Sequence, residues 1–196
     1  MSKVAVALCV VLIGGCAYID QNLRVAPQVQ VQPANVGHGN TVALRVIDDR
    51  QEQLIGRRGP VSTGYGGVLP GAKITTDQDL VEVIRHAVID GMRAKGFEPV
   101  NANEAPRSVK VELRTLSYET ASGLLRGANL GQAILKLVAS QPSGKTYERT
   151  YRSQQEIRTF FIASAETNAK VVNDALTDAL QQMFADAALW RFLAEE

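Results

Sequence analysis

The chain has 196 residues with 21 basic and 20 acidic side chains, which gives a formal net charge of +1 at pH 7. This balance, without blocks of like charge, argues against nucleic acid and anionic lipid surfaces as partners. The length is enough for one domain with its own hydrophobic core.

Residues 1–16, MSKVAVALCVVLIGGC, have the pattern of a secretory signal. Lys3 provides a positive start, an apolar run of ten residues follows, and two glycines precede Cys16. Ten residues rise about 15 Å as a helix, half of a hydrocarbon core of roughly 30 Å. The segment is therefore too short to span a membrane.

The end of this signal, IGGC at residues 13–16, resembles the lipobox of bacterial lipoproteins. The resemblance implies that residues 1–15 are removed and that Cys16 carries a diacylglycerol thioether and an N-acyl chain. Two or more acyl chains hold a protein stably on a membrane. The alternative is a soluble secreted protein with a chance cysteine near the cut. Ala17, rather than Asp, follows the cysteine. For a sorting system of the enterobacterial type, the resemblance implies the periplasmic side of the outer membrane more than the inner membrane.

Processing at Cys16 also limits the chemistry of the mature chain. It removes Cys9, and lipidation occupies the remaining cysteine. No thiol is then left for a disulfide, a metal site or a nucleophile. Residues 16–40 are predicted to be the lipidated cysteine and a polar tether, with a short edge strand over residues 28–32 as the alternative.

Residues 54–71, LIGRRGPVSTGYGGVLPG, hold six glycines and two prolines. This density disfavours a long helix or a central strand. The glycine spacing also fails to match a phosphate-binding loop. The segment is either a structural excursion over the sheet or a recognition loop with Arg57, Arg58 and Tyr65 as exposed contacts.

Alternating apolar and polar residues predict strands over residues 41–48 and 107–120, with a bulge near residues 114–115. A hairpin is predicted from residues 131–139 and 146–158. The return strand of this hairpin is polar, which suits a solvated sheet face or a sheet edge.

Apolar residues at a helical period predict two long helices. Residues 76–79, TDQD, resemble a capping box for a helix over residues 77–95, with His86 on its solvent face. A second helix begins near Ser164 or Thr167 and ends near residue 184.

A short apolar helix over residues 187–194 follows Asp186 as its cap. It either closes the core through Trp190 or contacts a partner or a membrane surface.

These elements predict one α+β domain over residues 41–196. Its sheet is expected to be mixed and mainly antiparallel, with two amphipathic helices packed on one face. A small-molecule pocket between helices and sheet would be lined by Met92, Met183 or Phe184.

The order of these segments along the chain is similar to that of a known protein family. It runs through TVALRVIDDR, IGRRG with the glycine-rich loop, AKITTDQDLVEVIRHAVIDGMRAKGFEPV, VKVELRTLSYET, AILKLVAS with YERTYRSQQEI, and AKVVNDALTDALQQMF. Over nearly the whole mature domain, the chain resembles the YajG family of bacterial lipoproteins. The resemblance implies lipidation of Cys16 and supplies no active-site residues.

The sequence offers no catalytic set. It contains no Ser-His-Asp, H-E-x-x-H or G-x-S-x-G arrangement, and His38 and His86 lie on the predicted tether and on a helix surface. We therefore expect a non-enzymatic accessory lipoprotein, without cofactor or metal, that binds an envelope protein through the glycine-rich loop or a sheet edge. The alternative is a subunit that binds a lipid or cell-wall fragment for a transporter. A hydrolase would need His86 beside an acid or a serine.

Overall fold

A computed structural model describes residues 19–58, 61–63, 67–69, 71–101, 105–122, 127–159 and 163–195. The predicted signal, Cys16 and Tyr65 lie outside these ranges. The helices are α1 (Leu80–Ala94), α2 (Ala165–Ala185) and α3 (Ala187–Ala194). The strands are β1 (Gln21–Asn22), β2 (Thr41–Asp48), β3 (Gly56–Arg57), β4 (Val61–Thr63), β5 (Gly67–Leu69), β6 (Lys73–Thr75), β7 (Glu98–Val100), β8 (Arg107–Ser122), β9 (Gly127–Ser140) and β10 (Thr146–Thr159).

The long strand β8 is the axis of the main sheet. Along one edge it pairs antiparallel with β9, which pairs antiparallel with β10. Along the other edge, the first half of β8 pairs with β2, and β2 pairs with β7. Its second half meets β3, which continues through β6 to β1. The strands β4 and β5 form a separate hairpin.

The strand directions correct part of the prediction. Parallel pairings join β1–β6, β2–β7, β2–β8 and β3–β8, whereas antiparallel pairings join β3–β6, β8–β9 and β9–β10. The α+β class and the mixed sheet are confirmed. Counted by described strand pairs, however, the sheet is mostly parallel, so the prediction of a mainly antiparallel sheet is wrong. Alternation of side chains reports which face is buried, and it is the same for both strand directions.

The bulge predicted near residues 114–115 is confirmed between Leu113 and Thr115. It shifts the register by one residue, so that Leu113 and Leu116 are both buried although their numbers have opposite parity. Both halves of β8 therefore contribute to the same core.

The helices α1 and α2 meet directly over the core. A Cβ atom on Gly91 of α1 would lie 2.1 Å from Cζ of Phe184 on α2. Met92 and Met183 are fully buried beside them. The predicted pocket between helices and sheet is wrong, because in the described residues these side chains fill that space.

The ends of the helices follow local capping rules. Asp79 caps α1 by accepting hydrogen bonds from the amides of Val81 and Glu82, three residues beyond the expected cap Thr76. Ser164 caps α2 and Asp186 caps α3, as predicted. In α3, Trp190 is buried and donates from Nε1 to the Phe184 carbonyl at 2.9 Å, which confirms its role in closing the core.

The N-terminal segment corrects the predicted tether. Leu23 is 2% exposed and Val25 is 1% exposed, so both belong to the core. The Leu23 amide donates to the Thr75 carbonyl at 2.7 Å, which extends the parallel pairing of β1 with β6. From Gln21 onward the segment is therefore part of the domain, and residues 28–32 form no strand.

Candidate functional site

A polar cleft of about 680 Å³ lies where the end of β2 and the start of α1 approach the β3–β6 ladder. We call it the Arg57 cleft. Among the residues that line it are Asp48, Arg50, Gln53, Arg57, Lys73 and Gln78.

The two cations of this cleft are cross-strand neighbours. Arg57 of β3 lies directly opposite Lys73 of β6 in the antiparallel ladder, and both residues are exposed. Side chains at such positions lie about 5 Å apart at Cβ. Arg57 Nη1 makes a long contact of 3.5 Å with the Gly71 carbonyl. Within the described ranges, neither cation has a carboxylate at ion-pair distance, so both remain available to an acidic ligand.

The acidic residues of the cleft are already engaged. Arg50 donates to Asp48 from Nε at 2.9 Å and from Nη2 at 2.8 Å. The side-chain hydrogen bond from Arg50 lowers the pKa of the Asp48 carboxyl despite its partial burial. Asp79 is occupied by the amides at the start of α1. The cleft therefore combines paired acids with two cations that have no acidic partner among the described residues, an arrangement that can bind a carboxylate or a phosphate group.

The three predicted contact residues are not brought together. Arg57 lines the cleft, but Arg58 is 8% exposed and donates from Nη2 to the Ala163 carbonyl at 2.7 Å. Arg58 is therefore a buried residue near the end of the sheet, not an exposed contact. Consecutive strand residues point to opposite faces, which explains why these adjacent arginines have different surroundings. Tyr65 lies outside the described residues.

Arg58 lies close to a buried polar pair. The Tyr118 hydroxyl donates to Oδ1 of Asn129 at 2.7 Å. Burial raises the pKa of Tyr118 to about 12, although the Arg58 charge opposes the increase. This group is held neutral and is part of the packing between β8 and β9.

Sequence reasoning missed Lys73. The run AKITT around it predicts only a short extended segment, and nothing local links it to Arg57, 16 positions earlier. The pair exists because β3 and β6 are antiparallel neighbours, which is a property of the tertiary structure.

The histidines are exposed and lie away from this cleft. His86 is on the solvent face of α1, as predicted, and His38 is in the N-terminal segment. In the part of the chain that the structure describes, no three His, Cys, Asp or Glu side chains converge on a possible metal site.

The N-terminal segment is hydrogen-bonded to the edge of the sheet that carries the cleft. Asp20 Oδ1 accepts from the Lys73 amide at 2.7 Å, and Asn22 Oδ1 accepts from the Asp77 amide at 3.2 Å. Five Cα–Cα steps from Cys16 to Gln21 span at most about 18 Å. Any lipid on Cys16 would therefore hold this edge of the domain close to the membrane.

These features define a class of protein, an α+β domain that follows closely on a lipobox-like cysteine. None of the described helices is both long enough and apolar enough to cross a membrane. A family model described as "Uncharacterized lipoprotein", Lipoprotein_16, matches residues 27–194, and the chain belongs to this family.

The relatives agree with this assignment. The chain is 23% identical to the uncharacterized lipoprotein YajG of Escherichia coli strain K12 over 187 residues, which cover 94% of this chain and 92% of the relative. The resemblance to the YajG family is thus confirmed.

Two solved structures are also similar. Protein XCC0632 from Xanthomonas campestris matches with a TM-score of 0.51 and 14% identity, over 84% of this chain and 94% of that one. A minor lipoprotein from Acinetobacter baumannii matches with a TM-score of 0.49 and 12% identity, over 78% of this chain and 94% of that one. The first of these similarities supports the fold.

Proposed function

We propose that this protein is a non-enzymatic binding module of the cell envelope, anchored by lipid on Cys16 to the periplasmic side of the outer membrane. Membership of a lipoprotein family supports the anchor. The Arg57 cleft carries the binding role, because its two cations are exposed and lack acidic partners among the described residues.

The arrangement of the domain supports this use of the cleft. We propose that both long helices cover the same face of the sheet. Their close contact at Gly91 and Phe184 leaves no room for a ligand between them. The cleft stays open at the sheet edge that carries β1, β3 and β6. A partner is therefore expected to approach this edge near the membrane.

The chemistry of the cleft selects an acidic partner. An arginine and a lysine placed side by side attract a carboxylate, and their attraction weakens with salt because both are exposed. We infer that the ligand is an acidic segment of an envelope protein that reaches the membrane surface.

Crosslinking in intact cells tests this proposal. A photoreactive amino acid replaces Gln53 at the rim of the cleft in the full-length lipoprotein. We expect one discrete protein adduct, which is lost in the Arg57→Gln, Lys73→Gln double variant and retained in the control Arg85→Gln. Arg85 is a partly exposed cation on α1 that pairs with Glu82 at 2.8 Å. An adduct that persists in the double variant would contradict the proposal.

A second candidate function is a subunit that binds a lipid or cell-wall fragment for a transporter. The volume of the cleft, about 680 Å³, favours it, since small-molecule sites commonly measure about 300–1,000 Å³. Mass spectrometry of the protein extracted from membranes would then find a copurified small molecule that is lost with Arg57→Gln, and the photoreactive probe would yield no protein adduct.

A further inference from the structure

The strand β10 has one free edge in the described part of the chain. Its 14 residues pair with β9 along one side, and no described strand pairs with the other side. Exposed edges of this length favour pairing with another strand unless they are covered or interrupted. We propose that β10 pairs antiparallel with β10 of a second copy of this chain, across a two-fold axis.

The β9–β10 turn determines which backbone groups face outward. The Gln141 amide donates to the Lys145 carbonyl, so residues 141 and 145 form a hydrogen-bonded pair. Hydrogen-bonded pairs alternate along an antiparallel ladder, and the odd-numbered residues of β10 therefore bond to β9. Amides and carbonyls of even-numbered residues, from Glu148 to Arg158, point away from the sheet.

One contact supports this assignment independently. Gln182 of α2 donates from Nε2 to the Arg152 carbonyl at 3.1 Å, which is a side-chain contact to the outward edge. Among the described residues, this is the one recorded hydrogen bond to the outward backbone groups of β10. The other outward groups have no partner among the described residues, and a second strand can supply partners for them.

The charged side chains of β10 can pair with those of β10 in a second chain. In the register where Ser153 lies opposite Ser153, Glu148 of each chain faces Arg158 of the other. Both side chains are accessible, at 57% and 74% exposure, and each also makes an ion pair within its own chain, Glu148 with Lys136 at 2.7 Å and Arg158 with Glu156 at 2.6 Å. Exposed pairs of this kind contribute little and leave the charges able to contact a second chain. Opposite charges at facing positions stabilise a strand pair, and the two-fold axis makes this pair occur twice.

The neighbouring registers are less favourable. When Arg152 faces Arg152, Glu148 faces Glu156 and like charges meet on both sides of the axis. When Gln154 faces Gln154, Arg152 faces Glu156, but Glu148 lies beyond the last paired residue of the other strand. The register centred on Ser153 keeps residues 147–159 paired and matches the charges at both ends.

The edge is separate from the Arg57 cleft, so the dimer goes beyond the proposed function. Arg57 belongs to β3, which lies on the opposite side of β8 from β9 and β10. Dimerisation through β10 would leave the cleft of each copy open and would double the number of clefts on one assembly.

Sedimentation of the full-length lipoprotein in detergent, across a concentration series, tests the dimer. We expect Glu148→Arg and Arg158→Glu each to weaken self-association by about tenfold or more, because each creates two like-charge contacts. The double variant E148R/R158E should restore self-association, since it re-forms the pairs with their signs exchanged. Glu119→Arg, on β8, is the matched control and should leave association unchanged.

A backbone variant completes the test. Gln154→Pro removes an outward amide that β9 does not use, so the monomer should keep its circular dichroism spectrum while the dimer is lost. A monomeric wild-type protein would overturn the proposal. So would a dimer that tolerates Gln154→Pro, or single variants that weaken the dimer without rescue in the double variant.

Discussion

Asp186 joins three elements through one carboxylate. Its Oδ2 accepts hydrogen bonds from the hydroxyls of Tyr147 and Tyr151, both at 2.7 Å, and from Nη1 of Arg149 at 3.1 Å. Its Oδ1 caps α3 by accepting from the amides of Ala188 and Leu189. The junction of α2 and α3 is thereby held against β10.

The ionisation of this carboxylate is coupled to folding. Burial alone would raise its pKa, but hydrogen bonds from Tyr147 and Tyr151, together with the Arg149 charge, lower the pKa of Asp186 below its ordinary value. Because the folded-state pKa is the lower one, the ionised form stabilises the fold above the unfolded-state pKa of about 4. That stabilisation is lost as the pH falls through the folded-state pKa.

The variant Asp186→Asn tests this role. At pH 7 we expect it to lower the free energy of unfolding by about 2 kcal/mol, because it removes a charged acceptor of buried hydrogen bonds. Below about pH 4 the difference from wild type should shrink. Urea unfolding at several pH values measures both effects.

Asp174→Asn is the control for this prediction. Asp174 forms an exposed pair with Lys170, and its loss should cost less than about 0.5 kcal/mol. A constant difference between wild type and Asp186→Asn from pH 7 to pH 3 would contradict the role of the charge. The stability of Asp186→Asn should still fall at low pH, although less than that of the wild type. The pKa of Glu112 is also lowered, above all by its side-chain hydrogen bond with Lys110, so this carboxylate also loses stabilising interactions when it is protonated.

At the scale of elements, the contact between α1 and α2 decides how tightly the helices cover the core. Gly91 provides the space for the ring of Phe184, which also stacks on Trp190 with ring centroids 5.7 Å apart. Phe184 of α2 thus contacts both α1, at Gly91, and α3, at Trp190. A glycine in a helix normally costs about 1 kcal/mol relative to alanine, and here the close approach explains its presence.

We predict that Gly91→Ala destabilises the protein although alanine is the better helix former. The added methyl group would collide with Phe184, and overpacking of this kind costs about 1–3 kcal/mol. A double-mutant cycle with Phe184→Leu, measured by urea unfolding, should show a favourable coupling because the smaller side chain makes room. Stabilisation by Gly91→Ala alone would contradict the packing.

At the scale of the whole molecule, the N-terminal segment connects the core to the predicted anchor. Leu23 and Val25 are buried, and Asn173 of α2 bonds to the backbone on both sides of Val25, at Arg24 and Ala26. The domain therefore cannot move far from Cys16 without losing core contacts. If Cys16 carries the proposed lipid, the same residues that stabilise the domain would also restrict its orientation at the membrane.

We predict that Leu23→Ala lowers the free energy of unfolding by about 2–4 kcal/mol, as for a leucine removed from a packed core. The adjacent Arg24→Ala is the matched control, because Arg24 is exposed and its change should cost less than about 0.5 kcal/mol. Equal stability of the two variants would mean that the segment behaves as the free tether that the sequence pattern indicated.

Local sequence patterns predicted most helices and strands correctly but did not predict the Arg57 cleft as a whole. The strand Thr41–Asp48, the bulge after Leu113, the hairpin β9–β10 and the helix Ala187–Ala194 follow from periodicity and capping, which act over a few residues. Arg57 was predicted as a contact residue from the sequence, whereas its neighbour Lys73 was not. Their proximity results from strand pairing that no local signal encodes.

The sequence by itself determined the α+β class, the positions of the main helices and strands, and the resemblance to YajG lipoproteins, because each depends on the order of residues along the chain. The tertiary structure alone decided three other features. These are the directions of the strands, the inclusion of Leu23 and Val25 in the core, and the pairing of Arg57 with Lys73 across β3 and β6. All three depend on which surfaces remain to be buried once distant segments meet, and the free energy of that burial belongs to the whole fold.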